Sequence, residues 1–360
     1  MRDALEARSR GIEITRCTLQ FGRVSSPQIA LGLGIAVALG VAAVGAIHFG
    51  PRLYYRVVPP KTHGRPIGAE EAAAFTQAAQ SYRGRVVWSS NRSGNHEIYL
   101  LDLRGKAPRL EQLTDDPHVD SFPRFSPDGT AIAFNRSRDV WVSDRNPEPW
   151  DVWMMDAQGH GAHRVAERGF HASFTPDGRA LVFARSAELV RHDLQDGREE
   201  VLVDAGARLG GAAQEPDLRD SRIAATIRGP VYGAFGVYDL ASGKFAPFPG
   251  DSCQIAWWPG QERLIWIEGH KGNGGTRVAW GPPDGSRVET LIDLPGRYSH
   301  EYFPRLSRDG RWLAWAASAG DHEPGRADYE IFLWKVGEPR EQALRVTYHT
   351  GNDQSPDLAP

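Results

Sequence analysis

Three carboxylates and three imidazoles stand at comparable places along this chain. Asp120, Glu301 and Asp353 each head an extended segment, and His118, His171 and His300 lie beside such heads. Carboxylates and imidazoles converging on one mouth could hold a divalent cation, move protons, or receive the tail of a protein partner. Trp150 joins the same candidate face as an aromatic contact. A plainer use competes with these, because short acidic side chains at the end of a loop accept hydrogen bonds from their own backbone. The positions aligned with Asp120 elsewhere are Gly169, Ala212 and Ser252, so only half of the aligned set is acidic.

Other chemistry is scarce. There is no nucleophile elbow, His-Glu-x-x-His, Cys-x-x-Cys or P-loop. Gly269 to Gly275 is glycine-rich but precedes a strand pattern rather than a helix, which makes it a hairpin loop and not a phosphate cradle. His160 and His163 fall in a tight turn. Asn91-Arg92-Ser93 and Asn135-Arg136-Ser137 match the glycosylation sequon inside a repeated motif, and are read as chance. Cys17 and Cys253 are the only cysteines and lie in different regions, so neither a disulfide framework nor a thiolate metal site follows. A net charge of −3 with no basic face argues against nucleic acid as a partner. No cofactor is implied.

The elements that must position these residues are strands. Phe125-Ser126-Pro127-Asp128-Gly129 followed by Thr130 to Phe134 reads as strand, tight turn, strand. Proline presets φ, aspartate bonds back to its own backbone, and glycine takes the left-handed conformation. The phrase recurs at Phe174 to Phe183 and at Leu306 to Trp315, with worn copies at Leu218 to Ala225 and Trp258 to Trp266. A period of about 40 to 50 residues in an all-strand pattern predicts propeller blades of four strands. The counts of 11 Trp, 39 Gly and 25 Pro suit short aromatic strands joined by turns.

The blade set is 84–114 with 354–358, then 120–166, 169–203, 211–248, 252–291 and 301–347. The segment before residue 84 lacks a first strand. The C-terminal Thr347 to Pro360 aligns with Thr114 to Pro127 and is expected to supply it, removing two exposed sheet edges. The prediction is an all-β, six-bladed propeller closed by its C-terminal strand. Strand heads and the loops between second and third strands would share one face, with long loops at 137–149, 269–275 and 318–328. The tight turns would occupy the other face.

The motif Asp-x-x-Pro-x-Phe-Ser-Pro-Asp-Gly at Asp120 to Gly129, Ser-Asn-Arg-x-Gly-x-x-Glu-Ile-Tyr-Leu-x-Asp at Ser90 to Asp102, and Leu113-Thr114 resembles the WD40-like (PD40) repeats of TolB-type propellers. Trp150 to Gly159 and Tyr329 to Trp334 are further copies of its third strand. The resemblance covers about 84–358. It implies a β-propeller that works outside the cytoplasm, but TolB itself carries an additional α/β domain for which there is no room here. Some serine peptidases also carry such propellers, with a hydrolase domain that this chain lacks.

The N-terminal part differs in kind. Residues 1–26 form a polar tail. Residues 27–50 hold the apolar run Ile29 to Ile47, close to the ~20 residues that cross a bilayer core, and predict a transmembrane helix. A cleaved signal peptide ending near Val44-Gly45-Ala46 is the alternative. Gly32, Ala36 and Gly40 could let two spans pack as a homodimer. Residues 51–83 read as a proline-bearing linker with one short helix over Ala69 to Ser81, and 84–360 as the propeller. Arg52, Arg56, Lys61 and Arg65 outnumber Arg16 and Arg23 near the span, so local charge alone does not fix orientation. The expectation is a cell-membrane protein with a single span and a periplasmic propeller. It would act as a protein-binding or scaffolding module in the cell envelope and not as an enzyme. The alternative is a metal-dependent lyase or hydrolase working at the acidic and histidine ring.

Overall fold

The computed structural model describes residues 67–360 except 141, 143–145, 147, 229–232, 249–251, 270–274, 320–326 and 349–350. The predicted tail and span lie outside the described residues, as do parts of the three long loops. Among the described residues no helix is long and apolar enough to cross a membrane.

Helix α1 (Ala69–Ser81) comes first and buries Glu71, Ala74, Phe75, Ala78 and Ala79, one stripe at helical spacing. Strands follow in blade order: β1 (Arg85–Ser90), β2 (Glu97–Asp102), β3 (Arg109–Gln112); β4 (Asp120–Phe125), β5 (Ala131–Ser137), β6 (Trp150–Asp156), β7 (His163–Ala166); β8 (Phe170–Phe174), β9 (Ala180–Arg185), β10 (Glu188–Asp193), β11 (Glu199–Asp204). A short α2 (Ala205–Leu209) precedes β12 (Ala212–Arg219), β13 (Arg222–Arg228), β14 (Gly233–Asp239), β15 (Lys244–Pro247). Then come β16 (Ser252–Trp257), β17 (Leu264–Gly269), β18 (Thr276–Gly281), β19 (Glu289–Ile292), β20 (His300–Leu306), β21 (Trp312–Ser318), β22 (Glu330–Lys335), β23 (Leu344–Arg345) and β24 (Asp353–Ala359). They form six antiparallel four-stranded sheets. The first has the order β24-β1-β2-β3, so the C-terminal strand completes the blade that begins the propeller.

Second strands are covered on both faces by neighbouring blades and therefore read as unbroken apolar runs, such as Ala-Leu-Val-Phe in β9 and Leu-Ile-Trp-Ile in β17. Fourth strands such as β3 and β15 are short and largely exposed, which limits edge pairing with other chains. The seams are aromatic: Trp258, Ile265 and Ile267 of the fifth blade pack with Trp315 and Phe332 of the sixth. At the turns, Gly129, Gly178 and Gly310 have φ of 71°, 72° and 67°, and Asp128 Oδ1 accepts from Ser126 Oγ at 2.6 Å and Thr130 N at 3.0 Å.

Helix α1 packs at the closing seam. Phe75, Ala78 and Tyr82 share one core with Val86, Trp88, Tyr329, Ile331 and Leu358. Tyr82 Oη donates to Ala359 O at 2.9 Å. Arg92 joins the helix to both ends of the ring. It meets buried Glu71 at 3.0 Å and Asp353 at 3.1 Å.

Candidate functional site

The strand heads carry the sequence-selected carboxylates into the blades. Asp120 is fully buried and receives Arg136 Nε at 2.7 Å and Nη2 at 2.6 Å. Asp353, also fully buried, receives Trp88 Nε1 and Arg92 Nη2, both at 3.1 Å. Glu301 accepts from Leu294 N at 2.7 Å and makes no salt bridge among the described residues. Burial pushes its carboxyl up to about 8. His118 lies on the surface with Nδ1 2.7 Å from Asp116 Oδ1. His300 is 8% exposed, and its Nδ1 has no partner among the described residues. At the fourth strand head the residue in register is Ala213, one later than spacing places it. At the third, a Cβ on Gly169 would stand 2.4 Å from Val152 Cγ2. That crowding leaves no room for a side chain where the second blade has Asp120.

Two residues beyond each head the structure shows a feature that the sequence reading missed. Phe122, His171, Glu215, Gln254, Phe303 and Ser355 all have φ between 53° and 56°. Each sits in a bulge of its first strand, where pairing with the second strand shifts register. Non-glycine residues rarely adopt this left-handed conformation, and six at one register constitute a built feature. Three of the displaced amides find side chains of the preceding blade: His171 N donates to Asn135 Oδ1 at 3.0 Å, Gln254 N to Thr226 Oγ1 at 3.0 Å, and Phe303 N to Gln254 Oε1 at 2.5 Å. A sequence signal existed, since four of the six precede proline (Phe122, Glu215, Phe303, Ser355).

First strands of successive blades contact one another around the ring, so these six side chains converge on its axis. Phe122 lies 4.3 Å from the ring of His171, 5.2 Å from Phe170, 6.0 Å from Trp150 and 6.5 Å from Phe303. Thus Trp150 and His171, of the seven sequence-selected residues, come together at an aromatic wall. The carboxylates point into blade seams instead. Burial, and then the charges of Arg124 and Arg305, hold the His171 imidazole well below its usual range, so it stays neutral. His171 Nδ1, Ser121 Oγ and Ser355 Oγ are buried without partners among the described residues. Among those residues no group of three or more His, Cys, Asp or Glu is placed to hold a metal ion.

A six-bladed ring closed by its last strand, with PD40-type turns and heads, can be compared with known proteins. No protein-family model matches the chain. A stretch of 50 residues is 44% identical to the Protein TolB homolog of Chlorobaculum tepidum, covering 14% of this chain and 11% of that protein. TolB from Acinetobacter baumannii superimposes with a TM-score of 0.56 at 15% identity, over 77% of this chain and 67% of the other. The putative TolB from Agrobacterium tumefaciens gives a TM-score of 0.56 at 14% identity, over 76% and 92%. In fold, this is a TolB-like six-bladed propeller. The short sequence match and low identities separate it from TolB itself. What the TolB-like ring provides here is a rigid frame that aims six strained first-strand positions at one axis.

Proposed function

We propose that this chain is a membrane-anchored protein-binding or scaffolding module of the cell envelope, engaging its partner at the loop-side mouth of the channel. The observation that carries this reading is the pairing of an aromatic wall (Phe122, Trp150, Phe303) with the unpartnered buried atoms His171 Nδ1 and Ser355 Oγ. Buried polar groups favour hydrogen bonds, and an extended segment of a partner would supply them along its backbone. The TolB-like fold supports the same role, as a frame that presents loops and a channel without needing chemistry of its own. The test uses the full chain in its membrane, with a photo-crosslinking residue at position 171 or 303. A discrete protein adduct is expected at these positions and not at exposed Glu200, and Ser355→Trp should abolish it by filling the channel. Adducts equal to the Glu200 control would overturn the reading. So would a stoichiometric divalent metal that is lost with Asp120→Ala and Glu301→Ala, which would point to an enzyme instead.

A further inference from the structure

On the turn side of the channel, two residues beyond each left-handed position, the strands contribute another ring. Blade by blade from the second it reads Arg124, Ser173, Asp217, Ala256, Arg305 and Asp357. Three members bind neighbouring blades together. Asp357 Oδ2 accepts from Phe125 N at 2.8 Å, Asp217 Oδ2 from Trp257 N at 2.7 Å, and Ser173 Oγ donates to Pro216 O at 2.6 Å. The arginines are not engaged in this way. Among the described residues, Arg124 Nη1 and Arg305 Nη1 donate to the carbonyls of the prolines before them, at 2.7 and 3.1 Å. Neither makes a salt bridge among the described residues, although a guanidinium carries five donors.

The placement is polar in a definite direction. Because β24 contacts β20 on one side and β4 on the other, Arg305 and Arg124 stand on either side of Asp357 in one arc. Asp217 faces them from the opposite blade, flanked by the small Ser173 and Ala256, with Glu215 one layer deeper. All four charged side chains of this ring line one cavity of about 380 Å³, whose walls include Trp257, Leu306 and Leu358. That volume falls among small-ligand sites, which run from about 300 to 1,000 Å³. Burial, and then the charge of Arg305, pulls Arg124 down to about 9, as suits a cation without a close counter-ion.

We propose that this turn-side cavity binds a zwitterion, a short unblocked peptide or free amino acid, with its carboxylate on Arg124 and Arg305 and its ammonium on Asp217. Planar guanidinium forks suit a carboxylate, and the facing aspartate would repel a second negative charge while attracting a positive one. A dianion such as phosphate satisfies the arginines and opposes both aspartates. A zwitterion meets both poles without changing the charge of the ring. The site lies on the opposite face from the partner mouth, so it stands or falls independently of the scaffold reading.

Calorimetric titration of the full 360-residue chain with Ala-Ala, acetyl-Ala-Ala and Ala-Ala-amide tests it, with alanine and trialanine as arms that separate amino acid from peptide. Saturable binding of an unblocked ligand is expected, at least tenfold weaker when either end is blocked. Arg124→Gln and Arg305→Gln should each weaken Ala-Ala tenfold or more, with no further loss on amidation. Asp217→Asn, whose amide oxygen can still accept from Trp257 N, should weaken it with no further loss on acetylation. Melting curves establish that each variant is folded, and the blocked ligands give the same answer on the unaltered protein. Absence of saturable binding, equal binding of blocked and unblocked ligands, or tighter binding of inorganic phosphate would overturn the proposal.

Discussion

A carboxyl group sealed from water without a cation favours its neutral form. Asp120 and Asp353 each have an arginine against them, Arg136 at 2.6 Å and Arg92 at 3.1 Å. Glu301 occupies the same register in the sixth blade but faces Ala317 across the sheet, where Asp120 faces Arg136. Its folded-state value of about 8 lies above the ordinary 4.5. The neutral form therefore contributes stability that is complete below 4.5 and is lost as pH rises through 8, because the unfolded chain ionises first. Glu301→Gln keeps an acceptor for Leu294 N and removes the titration. Its stability relative to the native chain should rise by on the order of 5 kcal/mol between those pH values. Denaturant melts at several pH values measure the difference, and parallel curves would show that Glu301 is ionised in the folded protein. The register of these acids was legible in the sequence as a head-of-strand pattern. Their partners were not, because Arg136 is a cross-strand neighbour while Arg92 and Trp88 come from the other end of the chain.

At the scale of elements, the closing seam is where one residue reports on three. Arg92 on the loop after β1 holds Glu71 of α1 and Asp353 of β24, and its guanidinium lies 5.3 Å from the Tyr99 ring centre. Its side chain is 7% exposed and the two carboxylates less, so removing it leaves two buried anions without their cation. Arg92→Ala should cost about 3–5 kcal/mol, the range for breaking a buried pair from one side. Glu71→Gln should cost less, since Asp353 and Ser90 Oγ still engage Arg92. Chemical denaturation measures both, and a native-like Arg92→Ala would mean that apolar packing alone closes the ring. The strands themselves were readable because their turn chemistry repeats: serine or threonine, proline, aspartate and glycine in fixed order force the same hairpin wherever they occur. The bulges were not readable from periodicity. Strand alternation says which face a side chain takes, whereas the six left-handed residues break alternation at one point per blade. The arginine pair of the turn-side cavity escaped for a related reason. Arg124 and Arg305 look like ordinary surface cations until the ring brings their strands beside Asp357.

At the scale of the whole molecule, the proposed anchor would carry the ring on one side of a membrane. The TolB-like fold is compatible with either side, and the described residues contain no span. Arg52, Arg56, Lys61 and Arg65 follow the apolar run closely and by local count would stay in the cytoplasm. Positive charge governs short loops, however, and restrains a long translocated domain weakly. From outside, the same four residues can rest on anionic headgroups, each worth about 1 kcal/mol near a charged surface. The weak hold of positive charge on a long domain favours this second arrangement. The expected topology is a cytoplasmic N-terminus with the propeller outside. A reporter active only outside the cytoplasm should work when fused after Pro360 and fail when fused before Met1. The reverse pattern would put the propeller in the cytoplasm. It would withdraw the envelope from the functional reading while leaving the ring and its turn-side cavity intact.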